Sequence, residues 1–454
     1  MIGLILEANG TKYKKGNIKM NLAGKQTKVF VFCCLMLCFS PLCLSKNEEV
    51  RILLSVLRSK QSVSDPASSF RVADNKLTHE ERRMAYETAR KEYDIAKQEY
   101  EIGVQNAMNR LAAMGDQVVQ TLLEEYKKNH LDLDGMGQDQ YRNNIIITLG
   151  KINTKISQDM LLSMAQGKIG GFGPSQNAAG VYVDNLQTKS DAIPLLDSKQ
   201  LQSHVLRRLK GAELDQPLYE KCETFLFSQE YYLRERAAHV ICSDPNINRA
   251  EEKLDILVRS LQTVAEMPYA NQKYQSHSLG TNADNIYAEL TRAMMNIVGL
   301  NSSYIKPHLH DLQGSSRFCL EILLAHEQDA SEKDALKRNI QDIYSGTVMR
   351  LLALSQFEKI LSEGDKSFLI LLSQNDPLLI YDLGGPLYEI VDSSFLVSPH
   401  SSNNEVIDAE EKAFQVLREQ DILQRGSSGR KYYIIRERAK GLLDKHFISK
   451  DDNK

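Results

Sequence analysis

Apolar residues recur along most of the chain at intervals of three and four, the spacing that lines one face of a helix. Between residues 106 and 152, Met108, Leu111, Val118, Val119, Leu122 and Leu123 keep this spacing on both sides of a Met114-Gly115-Asp116 break. The pattern predicts helix, turn, helix, and an apolar run ending Leu149-Gly150-Lys151-Ile152 predicts a further helix, with Gly150 expected to let the chain turn. Upstream, Thr78 and Glu81 form a capping-box pair that opens a long helix through residues 79–103. Tyr86, Tyr93 and Tyr100 recur every seven residues, with Ala89 and Ala96 three residues after the first two. This stripe is read as docking the helix onto the following elements, with a coiled-coil seam as the alternative.

Beyond Pro245 the helical period continues through residues 249–267, 285–300, 317–327, 332–361 and 367–374, with Pro268, Gly280, Pro307 and Gly314 in the connections. Two stretches break it. Gly167 to Gly180 carries five glycines and Pro174 in fourteen residues, which argues against a regular helix and predicts a loop insertion over residues 167–200. Leu383-Gly384-Gly385-Pro386 marks a second break, followed by a surface loop at residues 398–406. The C-terminal stretch reads as helix, Gly/Ser-tipped connection, helix. Its middle piece, QRGSSGRKYYII, leaves a β-hairpin and a winged-helix-like end as the alternative.

Two segments carry a family resemblance. In residues 106–152, Leu111, Gly115, Val119, Leu122, Arg142, Leu149, Gly150 and Ile152 resemble the HEAT-repeat pattern, departing from it where Ile146 replaces the usual small Ala. In residues 216–245, helices predicted at about 218–227 and 231–242 carry Arg234, Ala237, Ala238 and Val240 in the same Arg-then-small-apolar order. The resemblance implies an all-α, HEAT-like α-solenoid of stacked antiparallel helix pairs, in which small residues let helices approach and an Arg near a helix start spans to the neighbouring unit. On that reading Leu149 lies in the seam between two helices.

The N-terminus adds a different signal. Residues 29–44, VFVFCCLMLCFSPLCL, follow Lys25 and Lys28 and precede Lys46-Asn47-Glu48-Glu49, the layout of a secretory signal peptide. The expected cut follows Ser45, with Met20 as the natural start of the signal; an uncleaved membrane anchor is the alternative. The expected organisation is therefore a signal at 1–45, a linker at 46–77 with a short helix at 50–57, and a long helix plus first HEAT-like unit at 78–166. The loop insertion at 167–200, a helical repeat region at 201–382 and a C-terminal helical cap at 383–454 complete it.

Composition narrows the function class. Of seven cysteines, four leave with the signal, so Cys222, Cys242 and Cys319 remain, too few and odd for a disulfide framework and read as buried thiols. Removing residues 1–45 takes six Lys and one Glu, which shifts the net charge from −3 to −8. An acidic, exported chain is disfavoured as a binder of nucleic acid or of anionic lipid.

Candidate chemistry is sparse. Asp132, Asp134 and the Gly137 that follows resemble the start of an EF-hand calcium loop, but Met136 and Asn143 occupy positions where acidic ligands belong. His308 and His310 would share one side of an extended segment as half of a zinc site. His326-Glu327 begins like a zinc-protease helix and fails at Ala330. The sequence assigns no catalytic, cofactor-binding or metal-ligating residue and implies no cofactor. The expected function is an exported, non-catalytic scaffold binding a protein or peptide partner on its concave surface. The rivals are a hydrolase-like enzyme with the 167–180 loop as its lid, and an anchored structural component of a cell envelope.

Overall fold

The computed structural model describes residues 45–59, 79–169, 171, 173–268, 270–271, 280–382, 387–391 and 430–448. The chain is all-α in class with one small sheet, and it divides into two compact units, residues 1–185 and 186–454. Residues 1–44 of the expected signal segment, and Thr78 of the expected capping box, lie outside the described residues.

The first unit comprises α1 (Lys46–Arg58), α2 (His79–Ala113), α3 (Val119–Lys127), α4 (Gly135–Ile152), α5 (Lys155–Ala165) and α6 (Gln176–Asn185). They pack in consecutive pairs: α1 on α2, α3 on α4, α5 on α6. The second member of each pair also packs on the second member of the next, α2 on α4 and α4 on α6, and α3 meets α5. The apolar positions that predicted these helices form the core, with Met108, Leu111, Val119, Leu122, Ile145 and Leu149 all buried.

Two details revise the sequence reading of this unit. Residues 46–58, expected within a linker, form a complete helix whose Leu53, Leu54, Val56 and Leu57 are buried. Ser45 starts it through a capping box: its hydroxyl accepts from Glu48 N at 3.3 Å, and Glu48 Oε2 accepts from Ser45 N at 3.2 Å. Gly150 does not make the turn after α4; Asn153 does, in the left-handed region at φ 50°. Gly150 instead lies inside α4 at the approach of α6, where an added Cβ would collide with Val181 Cγ1 and stand 3.2 Å from Asn185 Nδ2. The small residue at this helix approach is thus Gly150, one turn after Ile146.

The loop expected over 167–200 is also corrected. Residues 176–185 form α6, with Ala178, Ala179, Gly180 and Val183 buried, and Ile193–Leu196 is a further helical turn. Glycine and proline density was a poor guide because the glycines cluster before Gln176, whereas the one inside the helix, Gly180, sits in a packed face where lack of a side chain is tolerated.

The second unit contains α7 (Gln202–Leu209), α8 (Gln216–Leu226), α9 (Tyr231–Ser243), α10 (Ala250–Gln262), α11 (Asn282–Met294), α12 (Gly314–His326), α13 (Lys333–Gln341), α14 (Thr347–Phe357), α15 (Lys366–Asn375) and α16 (Ile434–Leu443). Here too α8 packs on α9, α10 on α11, α13 on α14 and α15 on α16, while α9, α11, α12, α14 and α16 each pack on the next. Three of these helices, the second members α9 and α14 and the α12 that stands between their pairs, carry Arg as their fourth residue: Arg234 in α9, Arg317 in α12 and Arg350 in α14.

These arginines do related work. Arg234 donates back to Ser228 O at 3.3 Å and forward to Ser260 O at 3.2 Å and Thr263 Oγ1 at 2.9 Å, at the end of α10. Arg317 reaches Leu309 O at 2.7 Å and Glu332 Oε2 at 3.1 Å, just before α13. Arg350 donates to Ile340 O at 2.7 Å and pairs with Asp376, just past α15. Each bonds to a residue in, or just beyond one end of, the first helix of the following pair.

The expected C-terminal helical cap is only partly helical. Strands β1 (Leu378–Asp382), β2 (Leu387–Val391) and β3 (Arg430–Tyr432) form an antiparallel sheet in the order β2-β1-β3. Leu378 pairs with Val391 and Ile380 with Tyr432. The break at 383–386 therefore separates two strands. The run Leu378-Leu379-Ile380 is short and continuously apolar, a pattern that does not distinguish a buried strand from a helix segment.

Candidate metal centre and surface groove

Helix α9 buries Ala237, Ala238, Val240 and Ile241, and the four-residue spacing of Glu235 and His239 places both on another of its faces. Helix α11 is fixed at its start by a capping box in which Thr281 Oγ1 accepts from Asp284 N at 3.2 Å and Asp284 Oδ2 accepts from Thr281 N at 2.9 Å. Because α11 packs on α9, Glu289 arrives beside the Glu235–His239 pair. One ligand-type atom from each of the three lies within 4.8 Å of the other two, and all three residues are half-buried.

His239 Nε2 stands 3.3 Å from Glu289 Oε2, and the other carboxylate oxygen, Oε1, is held by Arg292 one turn along α11. Burial pushes the Glu289 carboxyl up, but the His239 hydrogen bond and the Arg292 guanidinium outweigh it, and the net shift is below the usual carboxylate value. Glu289 is thus a carboxylate at neutral pH, with one oxygen facing the imidazole. Sequence reading missed this cluster. Its legible signal is Glu-x-x-x-His in RERAAHVIC; nothing in the linear order points to Glu289, fifty residues on.

In the first unit, α1, α2 and α4 border a groove of about 670 Å³. Leu57, Val104, Met108 and Ile147 give it apolar walls, while Arg58, Gln105, Gln140 and Asn144 supply hydrogen-bonding groups. Asn144 is itself anchored by donating to Leu57 O at 2.9 Å. An apolar floor with a few convergent polar groups is the usual character of a binding concavity.

The residues singled out by sequence fall elsewhere. Asp134 is the N-cap of α4, accepting from Gly137 N at 2.7 Å, and Asp132 faces Arg58 at 3.8 Å, so the two serve helix start and charge pairing. His308 and His310 lie on a 3₁₀ turn, Lys306–His310, not an extended segment. His308 Nε2 pairs with Asp255 at 3.0 Å and His310 is exposed, so the two imidazoles do not converge. His326 Nδ1 meets Gln356 Oε1 at 3.0 Å. Cys222, Cys242 and Cys319 are buried free thiols, and burial pushes Cys222 and Cys319 up to about 12, leaving them protonated and unreactive.

Among the described residues no helix is long and apolar enough to cross a membrane. Comparison with protein-family models, curated proteins and solved structures finds no match in any of the three.

Proposed function

We propose that the chain is an exported, non-catalytic α-solenoid of HEAT-like helix pairs that binds a protein or peptide partner. The observation that carries this reading is the repeated arginine: Arg234, Arg317 and Arg350 are each the fourth residue of their helix and each bonds toward the following pair. A repeated junction is what a stacked array needs, since each pair buries its apolar face only against its neighbours. Such arrays present long surfaces to extended partners, and the groove beside α1, α2 and α4 offers an amphipathic peptide helix an apolar seat with polar edges.

The export reading meets one local consequence. A cut after Ser45 would remove the hydroxyl that caps α1, worth about 1 kcal/mol, and leave an ammonium at a helix N-terminus, where positive charge is disfavoured. Mass spectrometry of the exported chain locates the cut, and an intact residue 20–45 segment would favour the anchored alternative. Partner binding is tested by a photo-crosslinking residue at Gln105, in the groove, with exposed Lys199 as the control position. A discrete adduct from position 105 that is absent from 199 is expected in the producing cell. Equal labelling at both positions, or none at 105, counts against the groove as a partner site.

A further inference from the structure

We propose that Glu235, His239 and Glu289 bind one divalent transition-metal ion of the zinc class, clipping α9 to α11. The donor set is one imidazole nitrogen and two carboxylate oxygens. Imidazole favours zinc and its neighbours over magnesium and calcium, and the absence of sulfur disfavours copper(I). Three protein ligands with the remaining positions left to water is a recurrent zinc arrangement.

The geometry is near what such an ion requires. Bonds of about 2.0–2.2 Å in a tetrahedral site place donors roughly 3.4 Å apart. His239 Nε2 and Glu289 Oε2 already stand at 3.3 Å, and the widest separation in the set is no more than 4.8 Å. Two donors four residues apart on one helix and a third from its neighbour need only side-chain rotation to close on a common centre. Arg292 holds Glu289 Oε1, which leaves Oε2 as a single ligand oxygen aimed at His239. Outer partners of this kind orient a ligand and hold it in register.

This site lies in the second unit and does not depend on the partner-binding reading, whose groove belongs to the first. The chelator-stripped exported chain is titrated with zinc chloride by calorimetry, with magnesium chloride as the contrast. One zinc per chain is expected, with no binding heat from magnesium and a thermal unfolding midpoint that rises with zinc. His239→Ala and Glu289→Gln each should weaken binding at least about tenfold, while His308→Ala leaves it unchanged. X-ray absorption at the zinc edge should show nitrogen and oxygen ligands without sulfur.

Absence of stoichiometric zinc binding overturns the proposal. So does affinity that survives both substitutions, or a sulfur ligand, which would place the ion on cysteine. If circular dichroism shows that His239→Ala has lost its helices, Glu235→Gln and Glu289→Gln decide, because both keep side-chain shape and hydrogen bonding; undiminished affinity in that pair overturns it equally.

Discussion

The two units share a pairing pattern but hold their junctions by different physics. In the first, the buried polar residues among those described are neutral: Asn144, Thr148 and Ser157, with helices brought together by apolar packing and by Gly150 under Val181. In the second, charged side chains are buried at the junctions: Arg234, Lys253 with Asp244, Arg350 with Asp376, Glu321 and Asp365. Lys253, for example, lies 3.3 Å from Asp244 Oδ2 and donates to Asp244 O at 2.7 Å and Asn246 O at 2.9 Å. Neutral packing tolerates small adjustments of shape. A buried charge demands its partner, since removing one member leaves the other desolvated and uncompensated. The second unit is therefore expected to be the more brittle toward single polar substitutions, and the first toward changes of side-chain volume.

The largest expected effect tests the charged side. Arg350→Met strands Asp376, whose side chain is 2% exposed, and should cost about 3–5 kcal/mol. Hydrogen exchange should speed across residues 333–382 and leave residues 104–165 protected. Adding Asp376→Asn should restore a large part of the loss, because that amide no longer needs a counter-charge. If Arg350→Met is silent, or equally destabilises both units, the junction is not what holds this part of the chain.

The matching test of the neutral side is Leu149→Ala, which removes a fully buried side chain and should cost about 2–5 kcal/mol. Protease sensitivity should rise around residues 106–166 while the region beyond Pro245 stays comparatively protected. An unchanged cleavage pattern would mean that Leu149 carries no packing, and uniform collapse would mean one cooperative body. Either result erases the contrast drawn between the units.

This contrast also explains what was legible in the sequence. Helix positions such as Leu111, Leu122 and Leu149 were readable because burial imposes a 3.6-residue period that survives in the linear order. Arg234 stood out in the sequence through the family resemblance, and it donates to Ser260 O and Thr263 Oγ1 at the end of α10. Its equivalents Arg317 and Arg350 were not recognised, because their partners Glu332 and Asp376 lie across turns that spacing alone does not locate. The Glu235–His239–Glu289 cluster escaped for the same reason, since packing of α11 on α9 brings in the third residue. Of the small sheet, β3 falls in the QRGSSGRKYYII piece for which a hairpin was the alternative, whereas β1 escaped because three apolar residues in a row fit strand and helix alike.

A smaller effect separates the units by pH. Burial acts upward on the Asp365 carboxyl, but Lys333 and Lys337, the latter at 2.5 Å, pull it down to about 2 from an ordinary 3.8. The sign follows from linkage: the folded state holds this proton more weakly than the unfolded one, so the stabilisation is present above about pH 4 and is lost as pH falls toward 2. Its size is about 2 kcal/mol, and the side chain is only 3% exposed, so solvent screening takes little from it. Glu321 acts in the opposite sense, burial holding its carboxyl above the usual value. Asp365→Asn should therefore lower the stability of the second unit at pH 7 and flatten its urea-unfolding profile between pH 4 and 2. An unaltered acid profile would remove Asp365 from the set of charges that distinguish this unit.

The smallest expected effect lies back in the first unit and bears on the nature of the Asp132–Gly137 segment. Asp134 accepts from Gly137 N at 2.7 Å with extended backbone at the cap position, and it precedes a helix whose first amides otherwise lack partners. Asp134→Ala should cost about 1 kcal/mol, seen as faster hydrogen exchange in residues 135–141 and little change in α6. Asp134→Ser should recover most of it, because a hydroxyl also accepts from the third residue of a helix, whereas it is a poor substitute for a carboxylate ligand. The loss should be the same with calcium or with a chelator present. A calcium-dependent loss, unrecovered by Ser, would return the segment to the cation-binding reading and add an electrostatic site to a unit otherwise held by neutral packing.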